Sequence, residues 1–107
     1  MNWIPMDSQS QLEEIINDSK EKTQLIFKHS TRCSISIMAK DRLDRSALSV
    51  NMNCYYLDLL AHRDISGKIA ELFSVQHESP QVLLIKKGSC IYHESHGGIR
   101  QIGRAHV

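Results

Sequence analysis

Leu25, Ile26 and Phe27 form an unbroken apolar run with no polar residue interleaved, the mark of a strand covered on both faces. A sheet built around such a strand needs helices on each side, and the flanking sequence supplies them. Upstream, Leu12, Ile15 and Ile16 make a narrow apolar helix face, and Ser8 with Gln11 and Ser10 with Glu13 both fit the S-x-x-[EQ] capping box. That helix should fade by Asp18–Lys20. Downstream, Ser34 to about Leu48 has a helical period. Ile35, Met38, Ala39, Leu43, Ala47 and Leu48 are expected inward, with Lys40, Asp41, Asp44 and Arg45 toward water.

The remaining elements follow the same alternation. Trp3 to Met6 reads as a first strand, and Pro5 restricts it to an edge. Cys54 to Leu60 is rich in aromatic and aliphatic residues and reads as a strand. Asp64 is a good N-cap for a helix over Ile65 to Phe73, with Ile65, Ile69, Leu72 and Phe73 inward and Gly67 weakening it. Gln81–Lys86 and Ser89–His93 flank Lys87-Gly88, which resembles a two-residue hairpin turn. The order β-α-β-α-β-α-β-β predicts an α/β fold. Its central mixed sheet has parallel strands first, an antiparallel hairpin last, and helices on its faces.

The tail departs from that order. One more helix should cover the sheet beside the hairpin, yet Gly97, Gly98 and Gly103 are poor helix material, so the final helix is expected to be truncated. Ile102-Gly103-Arg104-Ala105-His106-Val107 also looks like the translation of a common sequencing-adapter read. Residues 1–101 are therefore taken as the domain and 102–107 as a non-native tail, with the natural chain continuing past Gln101.

Within 107 residues, a net charge of +1 gives no electrostatic case for a nucleic-acid partner or an anionic membrane. The start of the chain lacks the basic and apolar regions of a signal peptide. No stretch approaches the roughly 20 apolar residues of a membrane span. Three irregularly spaced cysteines do not make a secreted disulfide framework. A cytoplasmic monomer with reduced thiols is the expectation.

The chemistry concentrates at Lys28-His29-Ser30-Thr31-Arg32-Cys33-Ser34-Ile35-Ser36. Cys33 stands at the junction of a strand and a helix, where unpaired backbone N–H groups and the helix dipole favour thiolate, the nucleophilic form. Cys33 to Ser36 has the form C-x-x-S. In C-x-x-C the second thiol resolves the mixed disulfide formed by the first. A serine hydroxyl forms no disulfide, so Cys33 must wait for an external thiol. Its natural substrate is then a mixed disulfide with a small thiol. Ser36 can donate its hydroxyl to the Cys33 sulfur, and Arg32 can meet an anionic thiol. Ser30 and Thr31 either cap the turn or line a thiol pocket. Downstream, Ser79-Pro80 opens the strand before the hairpin.

Thr31-Arg32-Cys33-Ser34-Ile35-Ser36 after Phe27-Lys28-His29-Ser30, with Ser79-Pro80 downstream, resembles the monothiol bacilliredoxin family, thioredoxin-fold proteins of bacillithiol-producing bacteria. The resemblance runs from Trp3 to about His96. The family usually has proline directly after the cysteine, where this chain has Ser34. Proline there would preset the first helical turn, so the tuning of Cys33 is what this departure touches. The resemblance implies a thioredoxin-like fold in which Cys33 removes bacillithiol from client proteins. Bacillithiol is then a thiol co-substrate with no metal, and a small thiol or a disulfide reductase recycles the cysteine. It also implies a cis Ser79–Pro80 peptide lying against the cysteine, leaving the Ser79 backbone free to pair with an extended substrate. The site residues are then Cys33 as nucleophile, with Thr31, Arg32, Ser34, Ser36, Ser79 and Pro80 binding substrate.

Plainer readings stand beside these. Cys54 in an apolar strand reads as a buried small hydrophobe and Cys90 as structural, with a resolving role for either as the alternative. His29 either polarises Cys33 from the strand end or is only a hydrogen-bonded neighbour. His62, His77, His93 and His96 show no zinc spacing with the cysteines. Lys86-Lys87 is a solvated turn, and Pro80 by itself could be a trans proline at a strand start. Two rivals to the de-thiolation reading differ in testable ways. A glutaredoxin-like iron–sulfur carrier uses C-G-F-S where this chain has Cys33-Ser34-Ile35-Ser36. A non-catalytic binding module would dock partners through the Ser79–Pro80 edge.

Overall fold

A computed structural model describes residues 2–30, 34–45 and 52–95. Eight elements follow in the expected order. They are β1 (Trp3–Pro5), α1 (Ser10–Asp18), β2 (Gln24–His29), α2 (Ser34–Asp44), β3 (Asn53–Asp58), α3 (Arg63–Phe73), β4 (Gln81–Lys86) and β5 (Ser89–Ser95). The expected final helix and the 102–107 tail lie outside the described residues.

The five strands form one sheet in the order β1-β3-β2-β4-β5. β2 is central, parallel to β3 and antiparallel to β4, and every residue from Gln24 to His29 is buried. The apolar run at Leu25–Phe27 therefore marks the middle of the sheet. Burying a side chain such as Ile26 or Phe27 completely is worth about 1.5–3 kcal/mol each. Successive residues serve opposite faces. Ile26 joins Leu12, Ile15, Leu57, Ile65, Ile69 and Leu83 in one core, on the side of α1 and α3. Leu25 and Phe27 join Ala39, Leu43, Val82 and Leu84 in the other, under α2. β1 is an edge strand pairing only with β3, as Pro5 requires.

Local signals hold with adjustments. Gln11 Oε1 accepts the N–H groups of Asp7 and Ser8, so the Ser8–Gln11 half of the capping pattern forms. Ser10 instead lies inside α1. Asp64 sits in the first turn of α3 rather than before it, and accepts from Gln9 Nε2 at 3.2 Å. The Lys87-Gly88 turn is left-handed at both residues, φ 52° and 80°, the geometry of the tightest hairpins. Ser19 at the end of α1 pins it, its carbonyl accepting from Lys87 N–H at 2.7 Å and its hydroxyl from Gly88 N–H at 2.9 Å.

Two helix faces are rotated from the expectation. Among the described side chains of α2, Ser36, Ala39 and Leu43 are buried, while Met38 is 55% exposed. In α3, Ser66 is buried in place of Leu72, which is 43% exposed. In both helices a serine turns inward because it finds hydrogen-bond partners there. Ala47 and Leu48 lie outside the described residues. No helix among the described residues is long and apolar enough to cross a membrane.

Candidate functional site

The last two residues of β2 diverge across the sheet and organise one cluster on each face. His29 turns to the α2 side. Its ring stacks on Phe27 at 5.4 Å between centroids and lies 5.3 Å from the Tyr56 ring. His29 Nδ1 is 2.7 Å from Ser36 Oγ, which also accepts the Ser30 N–H at 3.0 Å. Ser36 is fully buried. Burial lowers the His29 pKa, helped by the charge of Lys40 and opposed by Asp58 and a bond with the Ser36 backbone. The ring is thus neutral near pH 7, with one nitrogen donating and the other accepting. If Nδ1 accepts, it takes the Ser36 hydroxyl proton. If Nδ1 donates, both oxygen lone pairs of Ser36 are filled and its proton is left for a third group.

Lys28 turns to the α3 side. Its side chain is fully buried. Its Nζ lies 3.2 Å from His77 Nδ1 and 3.5 Å from the Ser66 carbonyl, and the Ser66 hydroxyl is 3.0 Å from the same His77 nitrogen. Burial pushes the Lys28 pKa down to about 8. His77 is lowered by burial and by the Lys28 charge, against a smaller pull from Glu78. This trio was not singled out from the sequence. The available signal was positional: a lysine two residues after Ile26, on the same face of a strand buried throughout.

β4 brings the downstream motif to the same place. Gln81 pairs with Lys28, so one residue beyond that pairing Pro80 comes level with His29. The Ser79–Pro80 peptide is cis, Pro80 is buried, and the Ser79 hydroxyl oxygen is buried with no hydrogen-bond partner among the described residues. Ser34 is exposed at the first position of α2. Thr31, Arg32 and Cys33 lie outside the described residues. In the chain they fall between Ser30 and Ser34, both described. The structure therefore gathers Ser36 and Pro80 at the end of β2, with Ser30 and His29 between them, and Ser34 opens the helix beside them.

The other two cysteines are free thiols set into the cores. Cys54 is buried on β3 and Cys90 half-buried on β5, and burial raises the pKa of both. Both match the structural reading.

Comparison with known proteins gives the arrangement a family. A solved structure of a proposed oxidoreductase with a thioredoxin fold matches with TM-score 0.84 and 33% identity, covering 96% of this chain and 90% of that one. Thioredoxin from Malassezia sympodialis matches at TM-score 0.76 and 14% identity, covering 98% of this chain and 87% of that one. Thioredoxin NaTrxh from Nicotiana alata matches at 0.72 and 21%, covering 95% and 87%. These last two speak to the fold alone. The family model for monothiol bacilliredoxin BrxC matches residues 4–102, a span that takes in both the C-x-x-S segment and Ser79–Pro80. A five-stranded thioredoxin-like sheet with Ser36 and Pro80 at the end of its central strand, and a family match over nearly its whole length, place this chain in the monothiol bacilliredoxin family.

Proposed function

We propose that the protein removes bacillithiol from mixed disulfides on cytosolic proteins by a monothiol route through Cys33. The observation that carries this reading is the family match across the C-x-x-S segment, in a chain whose Ser36 is held at the end of β2. The Cys33 thiolate attacks the bacillithiol sulfur of the client's mixed disulfide. The client–bacillithiol S–S bond breaks, the client leaves as a thiolate that takes up a proton, and a Cys33–bacillithiol disulfide forms. A second thiol, small or belonging to a reductase, attacks that disulfide and returns Cys33 to the reduced state. Each step exchanges one S–S bond for another, so no outside oxidant is needed.

Other residues take supporting roles. The first turn of α2 begins at Ser34, the residue after Cys33, and its dipole favours thiolate. Ser36 donates to that sulfur, Thr31 and Arg32 border the small thiol, and the Ser79 backbone beside Pro80 pairs with the client. Bacillithiol is the thiol co-substrate with no metal, a small thiol or a disulfide reductase recycles Cys33, and the protein acts as a monomer. A redox-sensitive fluorescent reporter carrying bacillithiol should recover its reduced signal with the wild type and not with Cys33→Ser. Equal recovery with both proteins overturns the assignment.

A further inference from the structure

At the carboxyl edge of β2 and β3, a cavity of about 390 Å³ is walled by Leu59, Arg63, Ser66, Gly67 and His77, a size that suits a small ligand. It shares its edge of the sheet with the candidate site. The Leu59 N–H donates to the His29 carbonyl at 2.9 Å, and His77 lies three residues before Pro80.

The polar character of this cavity is set from behind. A lysine ammonium only donates hydrogen bonds, so His77 Nδ1, 3.2 Å from Lys28 Nζ, is an acceptor. The neutral ring must then carry its proton on Nε2, and that N–H is what His77 can offer a ligand. Arg63 adds a guanidinium, again a donor without acceptor capacity. The ion pairs among the described residues use neither Arg63 nor Lys28. Glu78, whose charge acts on His77, accepts from the Ser95 hydroxyl at 2.8 Å, and Asp64 accepts from Gln9 at 3.2 Å. Gly67 leaves the wall open, since a Cβ there would meet nothing within 4 Å among the described residues. Leu59 supplies an apolar surface for methylene groups. Donors on the wall, backed by a buried ammonium, suit an anion that a guanidinium fork can grip, and the small volume beside the apolar Leu59 surface favours a carboxylate on a short chain.

We propose that this cavity is a subsite for a carboxylate group on the small thiol of the mixed-disulfide substrate, gripped by Arg63 and the His77 Nε2–H with Lys28 holding the ring in that tautomer. The assignment of the thiol rests on the de-thiolation reading; the binding of a carboxylate does not.

Two measurements separate them. In the first, the full chain is titrated with succinate at constant ionic strength, with chloride as the control, and followed by NMR. Saturating shifts at the His77 ring and the Gly67 amide, weakened about fivefold or more in Arg63→Gln, are expected. Shifts that fail to saturate, or that chloride reproduces, overturn the subsite. In the second, one client protein is presented as its mixed disulfide with 3-mercaptopropionate or with 2-mercaptoethanol. The wild type should favour the carboxylate adduct by about tenfold in kcat/KM, mainly through KM, and Arg63→Gln should bring the ratio near one. A wild-type ratio near one removes the subsite from the reaction. If neither adduct turns over, the de-thiolation reading falls and the substrate assignment with it, while saturable succinate binding still upholds a carboxylate site.

Discussion

His29 Nδ1 and Ser36 Oγ lie 2.7 Å apart, tying the last residue of β2 to the first turn of α2 across a stretch of chain that includes Cys33. Ser36→Ala would strand two groups at once, the Ser30 N–H and the His29 ring nitrogen. The expected cost is about 1–3 kcal/mol, read as a lower urea midpoint at unchanged slope. In a background lacking Cys54 and Cys90, the same substitution should slow alkylation of Cys33 by iodoacetamide at pH 7 several-fold, because under the proposed function Ser36 is a donor to the thiolate. His29→Phe keeps the ring packing and removes the bond, and should slow alkylation in the same direction. Unchanged rates in both variants would leave the pair a purely structural tie.

Lys28 should leave a signature in the pH dependence of stability. Its pKa falls from 10.5 to about 8 because the ammonium is buried. Below about pH 8 both folded and unfolded chains carry the charge, and the folded state bears the full desolvation cost. Between the two values the unfolded chain holds a proton that the folded chain has released, so stability from this group rises with pH. Above both values the cost is gone. The shift corresponds to about 3 kcal/mol as an order of magnitude. Lys28→Met should therefore be the more stable protein at pH 7 in urea, and its lead should shrink between pH 8 and 10. A constant difference across that range contradicts the buried charge.

The β4–β5 turn offers a test confined to the backbone. Among the described residues a Cβ on Gly88 meets only Ile16 Cγ2, at 3.8 Å, ordinary contact, so the residue's φ of 80° is what a side chain would resist. Gly88→Ala should cost about 1–2 kcal/mol. Lys87, with φ 52°, is better served by Asn, and Lys87→Asn should gain a few tenths of a kcal/mol. Thermal unfolding of the two variants checks both signs.

The three thiols should react at separable rates. Burial raises the pKa of Cys54 and Cys90, which lowers both their thiolate fraction and their access to reagent. Brief iodoacetamide treatment of the native protein at pH 7, followed by peptide mass spectrometry, should find the label on Cys33 with little on the other two. Labelling of Cys54 as fast as Cys33 would contradict the buried position on β3.

The central strand was legible from Leu25, Ile26 and Phe27, because an unbroken apolar run has one economical home, between two layers. The hairpin was legible from Lys87-Gly88, because few residue pairs accept two left-handed conformations. The phase of the helices was not. A helical period identifies an amphipathic segment, but hydrophobicity chose Met38 and Leu72 for the core where the fold buries Ser36 and Ser66. The serines win because His29, Ser30 and His77 hold their hydroxyls.

Local residue chemistry thus determined the element order, the central strand, the turn and the cysteine motif that marks the family. The tertiary structure alone decided that Lys28 meets His77 and that His29 meets Ser36, pairs separated by 49 and 7 positions in the chain. A buried polar side chain is tolerable only beside a partner, and that partner sits on another element, where no local pattern of spacing or hydrophobicity can announce it.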